Sequence, residues 1–213
     1  MKSIFASATL RRHGRRVRSV QWPNRQYSNG RPRVSEIVKY DHQEIESHFY
    51  HIIDSSSEDL RTRFQNQFVW ELARHTVAEE LLLYPAFESY LENGKVLADR
   101  DRQEHQNIKI MLRQFQDMKA YNPHFIPTVK SLMRDLSLHM REEEATDLPA
   151  LEKALSEQES GDLCAAFLRT KLFAPSRSHP MGPNKPPFET AYGLMTAPID
   201  LLGDLFRKFP PLQ

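Results

Sequence analysis

The 213-residue sequence predicts an all-α fold: an antiparallel up-down-up-down four-helix bundle, an extra short helix and a proline-rich tail. Three observations carry this. Apolar residues recur at helical spacing in four long segments, and hardly any stretch alternates like a strand. Turn-forming residues punctuate each segment at both ends. Polar residues of one chemical kind interrupt all four apolar stripes at matching distances from the turns. The bundle is expected over residues 34–156, the extra helix over 157–173, and the tail over 174–213, ending in an amphipathic helix.

Ahead of the bundle, residues 1–35 hold nine Lys or Arg and no Asp or Glu. Such a leader has the composition of a mitochondrial presequence. Arg25-Gln26-Tyr27-Ser28 matches a processing pattern that would leave Ser28 first. The expectation is a presequence over residues 1–27, a linker over 28–33 and a mature protein in the mitochondrial matrix. A solvated basic tail is the alternative. The formal net charge of +1 hides this asymmetry, since the rest of the chain carries 20 basic against 28 acidic residues. An acidic body argues against nucleic acid as a partner. No apolar run is long enough to span a bilayer. One cysteine, Cys164, forms no internal disulfide, which suits a reducing compartment.

The first helix is expected from about Ser35, a plausible N-cap, to the Asp54–Ser57 cluster. Its stripe is Val38, Ile45, Phe49 and Ile52, with His42 inside it. The second runs from about Glu58 to Asn93-Gly94, a helix-stop pair. Its stripe is Phe64, Phe68, Leu72, His75, Glu79 and Leu82. Pro85, inside this segment, removes a backbone donor and is expected to bend it. The third covers roughly Leu97 to Tyr121, with His105, Ile108, Leu112 and Phe115 on one face. The fourth opens at Pro123 and shows Phe125, Val129, Leu132, Leu136, His139 and Glu143.

Each stripe therefore contains metal-ligand residue types. His75 and Glu79 stand one helical turn apart, as do His139 and Glu143, so each pair leaves one face. An imidazole and a carboxylate so placed form half a site for a divalent metal. A lone histidine on an apolar face is usually a satisfied core residue. Four of them with two carboxylates, costly to bury unpaired, point to metal. Height along the bundle agrees. The midpoint of His42 and His75 falls at the Ser55–Glu58 turn, that of Glu79 and His105 at Glu92, and that of His105 and His139 at Asn122. Antiparallel hairpins turning there place all six residues in one layer. Mixed imidazole and carboxylate donors suit iron, manganese or zinc. Six ligands shared by two metals leave open positions for an oxo bridge, oxygen, nitric oxide or peroxide.

The arrangement His42, His75-x3-Glu79, His105, His139-x3-Glu143, with the phrases Asp41-His42, Glu104-His105 and EELLLYP, resembles the hemerythrin-like (HHE cation-binding) family over about residues 34–156. The resemblance implies a non-haem di-iron centre, with Glu79 and Glu143 as bridging carboxylates and His42, His75, His105 and His139 as terminal ligands. The oxygen-carrying hemerythrins place a second histidine four residues on in the third helix, where this chain has Lys109. The four-histidine, two-glutamate version is similar to the iron–sulfur repair di-iron proteins and the iron-sensing F-box hemerythrin domain. The tail resembles an extension on fungal members.

Glu71, Asp101 and Asp135 each stand one turn before a ligand histidine. They either accept the free imidazole N–H, as acids behind metal-bound histidines do, or are ordinary solvated acids. Glu80, Glu142 and Glu144 lie off the ligand spacing and read as solvated, and His48, His51 and His124 as surface residues. Eight of the 14 prolines fall at Pro175 or later, so residues 179–189 should be extended. Leu201, Leu202, Leu205, Phe206 and Phe209 then form an amphipathic face that packs back on the bundle, docks a partner or touches a membrane surface. Two function classes stay open. One is redox handling of nitric oxide, oxygen or peroxide, or iron–sulfur cluster repair. The other is sensing, buffering or carriage of iron or oxygen without turnover.

Overall fold

The structure, a computed structural model, describes residues 31–184 and 188–211, with the side chains of 188–194 excepted. The presequence expected over residues 1–27 and the start of the linker lie outside the described residues. Arg31–Gln213 forms one compact unit.

Four rods make the bundle, joined in the order the turns predicted. The first is α1 (Val34–Asp54), the second α2 (Glu58–Ala78) running on into α3 (Tyr84–Tyr90). The third is α4 (Gly94–Gln116), the fourth α5 (Phe125–Glu142) continuing into α6 (Leu148–Ala154). Helix α1 has its N-cap at Arg33, two residues before Ser35. The N–H groups of its first turn find acceptors from distant segments: Val34 N–H donates to Ser160 Oγ at 3.0 Å and Ser35 N–H to Glu152 Oε1 at 3.0 Å. Tertiary partners thus replace a local cap. Ser57 caps α2 by accepting from Leu60 N–H.

The second and fourth rods each contain a π turn, Glu79–Leu83 and Glu143–Asp147. Each starts on a candidate ligand and ends just before a Tyr-Pro or Leu-Pro step. A proline lacks the N–H of an α turn, and its ring crowds the carbonyl four residues back. The chain closes a wider loop instead, with Tyr84 N–H donating to Glu79 O and Leu148 N–H to Glu143 O. The expected proline bend is therefore an inserted residue.

Gly94 opens α4 against the end of α3. A Cβ there would sit 1.7 Å from the Phe87 carbonyl oxygen, a backbone atom that cannot step aside. Gly94→Ala should lower stability by about 1–3 kcal/mol, measured as an earlier denaturant midpoint at unchanged slope.

Two apolar clusters fill the bundle. One contains Ile45, Ile52, Phe68, Leu72, Ile108, Phe115, Phe125 and Leu136, the other Val34, Val38, Leu83, Phe87, Leu148 and Phe167. Helix α7 (Glu157–Phe173), capped by Ser156 with Glu159, lies across α1 and α2 and feeds Cys164 and Phe167 into the second cluster. Burial pushes the Cys164 thiol up to about 11, so it stays protonated and inert.

After α7 the chain returns over α4. Ser178 Oγ donates to Lys109 O at 2.6 Å, and Ser178 N–H to Gln116 Oε1 at 3.0 Å. Helix α8 (Phe188–Asp204) follows, and the segment after it reaches α2, where Arg63 and Asn66 donate to the carbonyls of Phe209 and Lys208. The tail packs back, but not through its apolar face. Asp200 and Asp204 point inward to Arg177 N–H and Ser176 Oγ, while Leu201, Leu202, Leu205 and Phe206 remain exposed, Phe206 at 89%. Polar contacts, not apolar burial, set the orientation of α8. Among the described residues no helix is long and apolar enough to cross a membrane.

Candidate metal centre

The six predicted residues come together at mid-height. His75 Nε2 lies 3.0 Å from Glu79 Oε1, and His105 Nε2 3.4 Å from Glu79 Oε2. His42 Nε2 is 3.4 Å from Glu143 Oε2 and 3.9 Å from Glu79 Oε1, and His139 Nε2 is 2.9 Å from His105 Nε2. All six are buried. The rings pair edge to face, His42 with His75 at 4.9 Å and His105 with His139 at 4.6 Å between centroids. Two groups of three, His42–His75–Glu79 and Glu79–His105–His139, each bring donor atoms within 4.8 Å of one another.

With Nε2 aimed at the bundle axis, each Nδ1 meets the flank of a neighbouring rod, and each flank offers a carboxylate. Asp41 of α1 faces His75 Nδ1 at 3.3 Å, and Glu80 faces His105 Nδ1 at 3.4 Å. Glu104 of α4 faces His139 Nδ1 at 2.8 Å, and Glu144 faces His42 Nδ1 at 2.7 Å. Every rod thus lends an acid to the histidine of the next, and the circuit closes on itself. Such partners fix the tautomer and the ring orientation.

Of the two readings left open for Glu71, Asp101 and Asp135, acceptance of the imidazole N–H is not the one the structure shows. Glu71 accepts from Gln67 at 3.2 Å, Asp101 from Arg100 at 2.9 Å, and Asp135 from Arg134 at 3.0 Å on the surface. An acid one turn earlier on the same helix is not where Nδ1 looks. Glu80 and Glu144 are likewise not simply solvated: Glu80 is buried, holds Lys109 Nζ at 2.8 Å and backs His105. Glu142, His51 and His124 are exposed as expected, while His48 is half-buried. The readable signal was adjacency. Asp41 and Glu104 precede a candidate histidine, and Glu80 and Glu144 follow a candidate glutamate.

Two further residues went unforeseen. The Tyr84 hydroxyl, fully buried, lies 2.8 Å from His105 Nε2, brought round to the ligand face by the π turn. Lys171 of α7 donates to Asp41 Oδ2 at 2.5 Å.

The carboxylates dominate the electrostatics. Burial alone would lower His42, but the neighbouring carboxylates of Glu143, Glu144 and Glu79 raise it to about 10. His139 is raised to about 9 against its burial by Glu104, Glu143 and Glu79. Burial pushes His105 down to about 4, with the charges of His139 and Lys109 adding to it. Asp41 is held well below the carboxylate range, its burial outweighed by Lys171 and His75. Both oxygens of Glu79, both of Glu143 and Nε2 of His42 are buried without a hydrogen-bond partner. Orphaned buried acceptors of this kind are costly, and a cation among them satisfies all of them.

Comparison with known proteins gives the same picture. The family model described as hemerythrin HHE cation-binding domain matches residues 33–151. An uncharacterised hemerythrin-like protein of Schizosaccharomyces pombe is 50% identical over 190 residues, covering 89% of this chain and 94% of that protein. A DNA nickase of Nostoc sp. is 25% identical over 138 residues, 65% of this chain but 39% of that protein. A crystal structure of a hemerythrin HHE cation-binding domain-containing protein from Mycobacterium kansasii shares the fold. Its TM-score is 0.57 at 21% identity, over 66% of this chain and 86% of that one.

Proposed function

The chain belongs to the hemerythrin HHE cation-binding family, and from that premise we propose that it is a non-haem di-iron protein performing redox chemistry on a small ligand: nitric oxide, oxygen or peroxide. His42, His75, His105 and His139 would hold the ions at the ends, with Glu79 and Glu143 between them. The observation that carries this is the convergence of the Nε2 atoms of His42, His75 and His105 on Glu79 and Glu143, whose oxygens have no hydrogen-bond partner, with His139 Nε2 2.9 Å from that of His105. Charge supports two divalent ions. Glu79, Glu143 and the four acids behind the histidines make six negative groups, which two divalent cations, Lys109 and Lys171 would balance.

Two bound irons would supply two electrons to a small oxidant. The chain's own residues do the rest. Asp41, Glu80, Glu104 and Glu144 hold the imidazoles in one tautomer with Nε2 free. The two sides of the centre differ. Lysines cover Asp41 and Glu80, whereas the side chains of Glu104 and Glu144 are 34% and 36% exposed. Those two acids link His139 and His42 to solvent, a path for the protons that reduction of peroxide to water consumes. Lys109, standing where an oxygen carrier has a further histidine, withholds the ligand that would close one iron, which favours turnover over reversible carriage.

The test is metal analysis of the purified protein followed by spectra of the diferrous form. Two irons per chain, irreversible oxidation in air and consumption of nitric oxide or peroxide are expected. An oxygen adduct surviving repeated deoxygenation would make the protein a carrier. Reversible uptake of iron with no gas consumed would make it a sensor or buffer.

A further inference from the structure

We propose that Lys171, on a helix outside the four-helix bundle, is a positioning residue of the metal centre, fixing Asp41 and through it the His75 imidazole. The proposal rests on the metal-centre reading above and extends it to a part of the chain beyond the family match, which ends at residue 151.

At the end of α7 the expected burial pattern is inverted. Leu172 and Phe173 are 55% and 66% exposed, while Lys171 between them and the bundle is turned inward and only 5% exposed. A lysine on the last turn of a surface helix can reach water easily, so turning it inward costs desolvation unless a carboxylate meets it. Here Asp41 Oδ2 lies 2.5 Å from Nζ, and Glu71 Oε2 at 3.6 Å adds a second negative group. The same Asp41 oxygen sits 3.3 Å from His75 Nδ1. The lysine itself is held. Arg74 Nε donates to the Lys171 carbonyl at 2.6 Å, and the Arg74 guanidinium is stacked 3.8 Å over Trp70. Phe167, one turn earlier on α7, packs edge to face on His75 with ring centroids 6.1 Å apart. Helix α7 therefore grips one ligand histidine from behind and from the side. With Lys171 in place, Asp41 is pinned where it accepts the Nδ1 proton and Nε2 is left facing Glu79. Without it, a buried carboxylate loses its cation and the imidazole loses its fixed orientation.

The experiment uses the full-length protein loaded anaerobically with Co(II). The readouts are the two stepwise dissociation constants and the visible ligand-field spectrum, which a purely structural lysine would not alter. Lys171→Met should weaken one of the two sites by about 10–100-fold, the range for outer-shell partners, change the spectrum of that site, and leave the other within error. Asp41→Asn should give the same one-site loss, and the double variant should lose no more than either alone. Arg169→Met, on the exposed face of α7, should bind as wild type. Wild-type constants and spectrum in Lys171→Met overturn the proposal. If that variant does not fold, wild-type binding by Asp41→Asn overturns it equally. A wild-type protein that takes up no metal pair would sink the metal-centre reading itself, and this proposal with it.

Discussion

Replacing Glu79 by alanine is expected to take the protein from two bound metals to fewer than one per chain. Its two oxygens reach His75 Nε2 at 3.0 Å, His105 Nε2 at 3.4 Å and His42 Nε2 at 3.9 Å, so it touches both histidine pairs. Losing it removes a donor common to both ions and leaves three imidazoles facing a void. The affinity loss should exceed the roughly 10–100-fold typical of outer-shell changes. Glu80→Ala belongs in that lower range, because Glu80 backs His105 and neutralises the buried Lys109. Glu142→Ala, at an exposed carboxylate 3.8 Å from Arg100, should change nothing. Metal content after gel filtration orders the three variants. A Glu79→Ala protein that keeps two metals would show the assignment to be wrong.

The second large effect is on pH. Their carboxylate neighbours raise His42 to about 10 and His139 to about 9 before metal binds, so both carry a proton at neutrality. A metal takes the neutral imidazole, and loading therefore expels those protons. Affinity should climb by about tenfold per pH unit for each proton released, steepest below pH 9 and levelling above 10. Stability of the metal-free protein runs the other way. A histidine raised in the folded state stabilises fully below its unfolded value near 6.5 and loses that contribution as pH rises through 9 to 10. Competition titrations and melts of metal-free protein between pH 6 and 9 should give slopes of opposite sign. A pH-independent affinity would contradict the electrostatics of the site.

Much of this was legible in the sequence because helical period and turn position are local quantities. The turns at Ser55–Glu58, Asn93-Gly94 and Asn122 put His42, His75, His105 and His139 at one height before any contact is considered. What was illegible depended on neighbours. The acid behind His75 sits 34 residues away, and the one behind His42 102 residues away. The π turns were illegible because Pro85 reads equally well as a bend, and with them went the approach of Tyr84 to His105. The inward face of α8 was illegible for a different reason. Amphipathicity says that a helix has two sides, but Ser176, Arg177 and His179 decide that Asp200 and Asp204 form the inner one.

The layer of ligands also divides the interior. In every rod it falls between the two apolar clusters: His42 between Val38 and Ile45, His75 and Glu79 between Ala73 and Leu83, His105 between Ala98 and Ile108, His139 and Glu143 between Leu136 and Leu148. Folding cooperativity is ordinarily transmitted by continuous close packing, and here that packing is interrupted by charge at mid-height. The two apolar clusters are strung on four common rods, with α7 lying against the first two as a further link. On the proposed two-metal reading, a pair of ions held by all four rods would tie the two clusters together. Metal uptake would then couple the two apolar clusters, and occupancy at the centre would be felt at both of them at once.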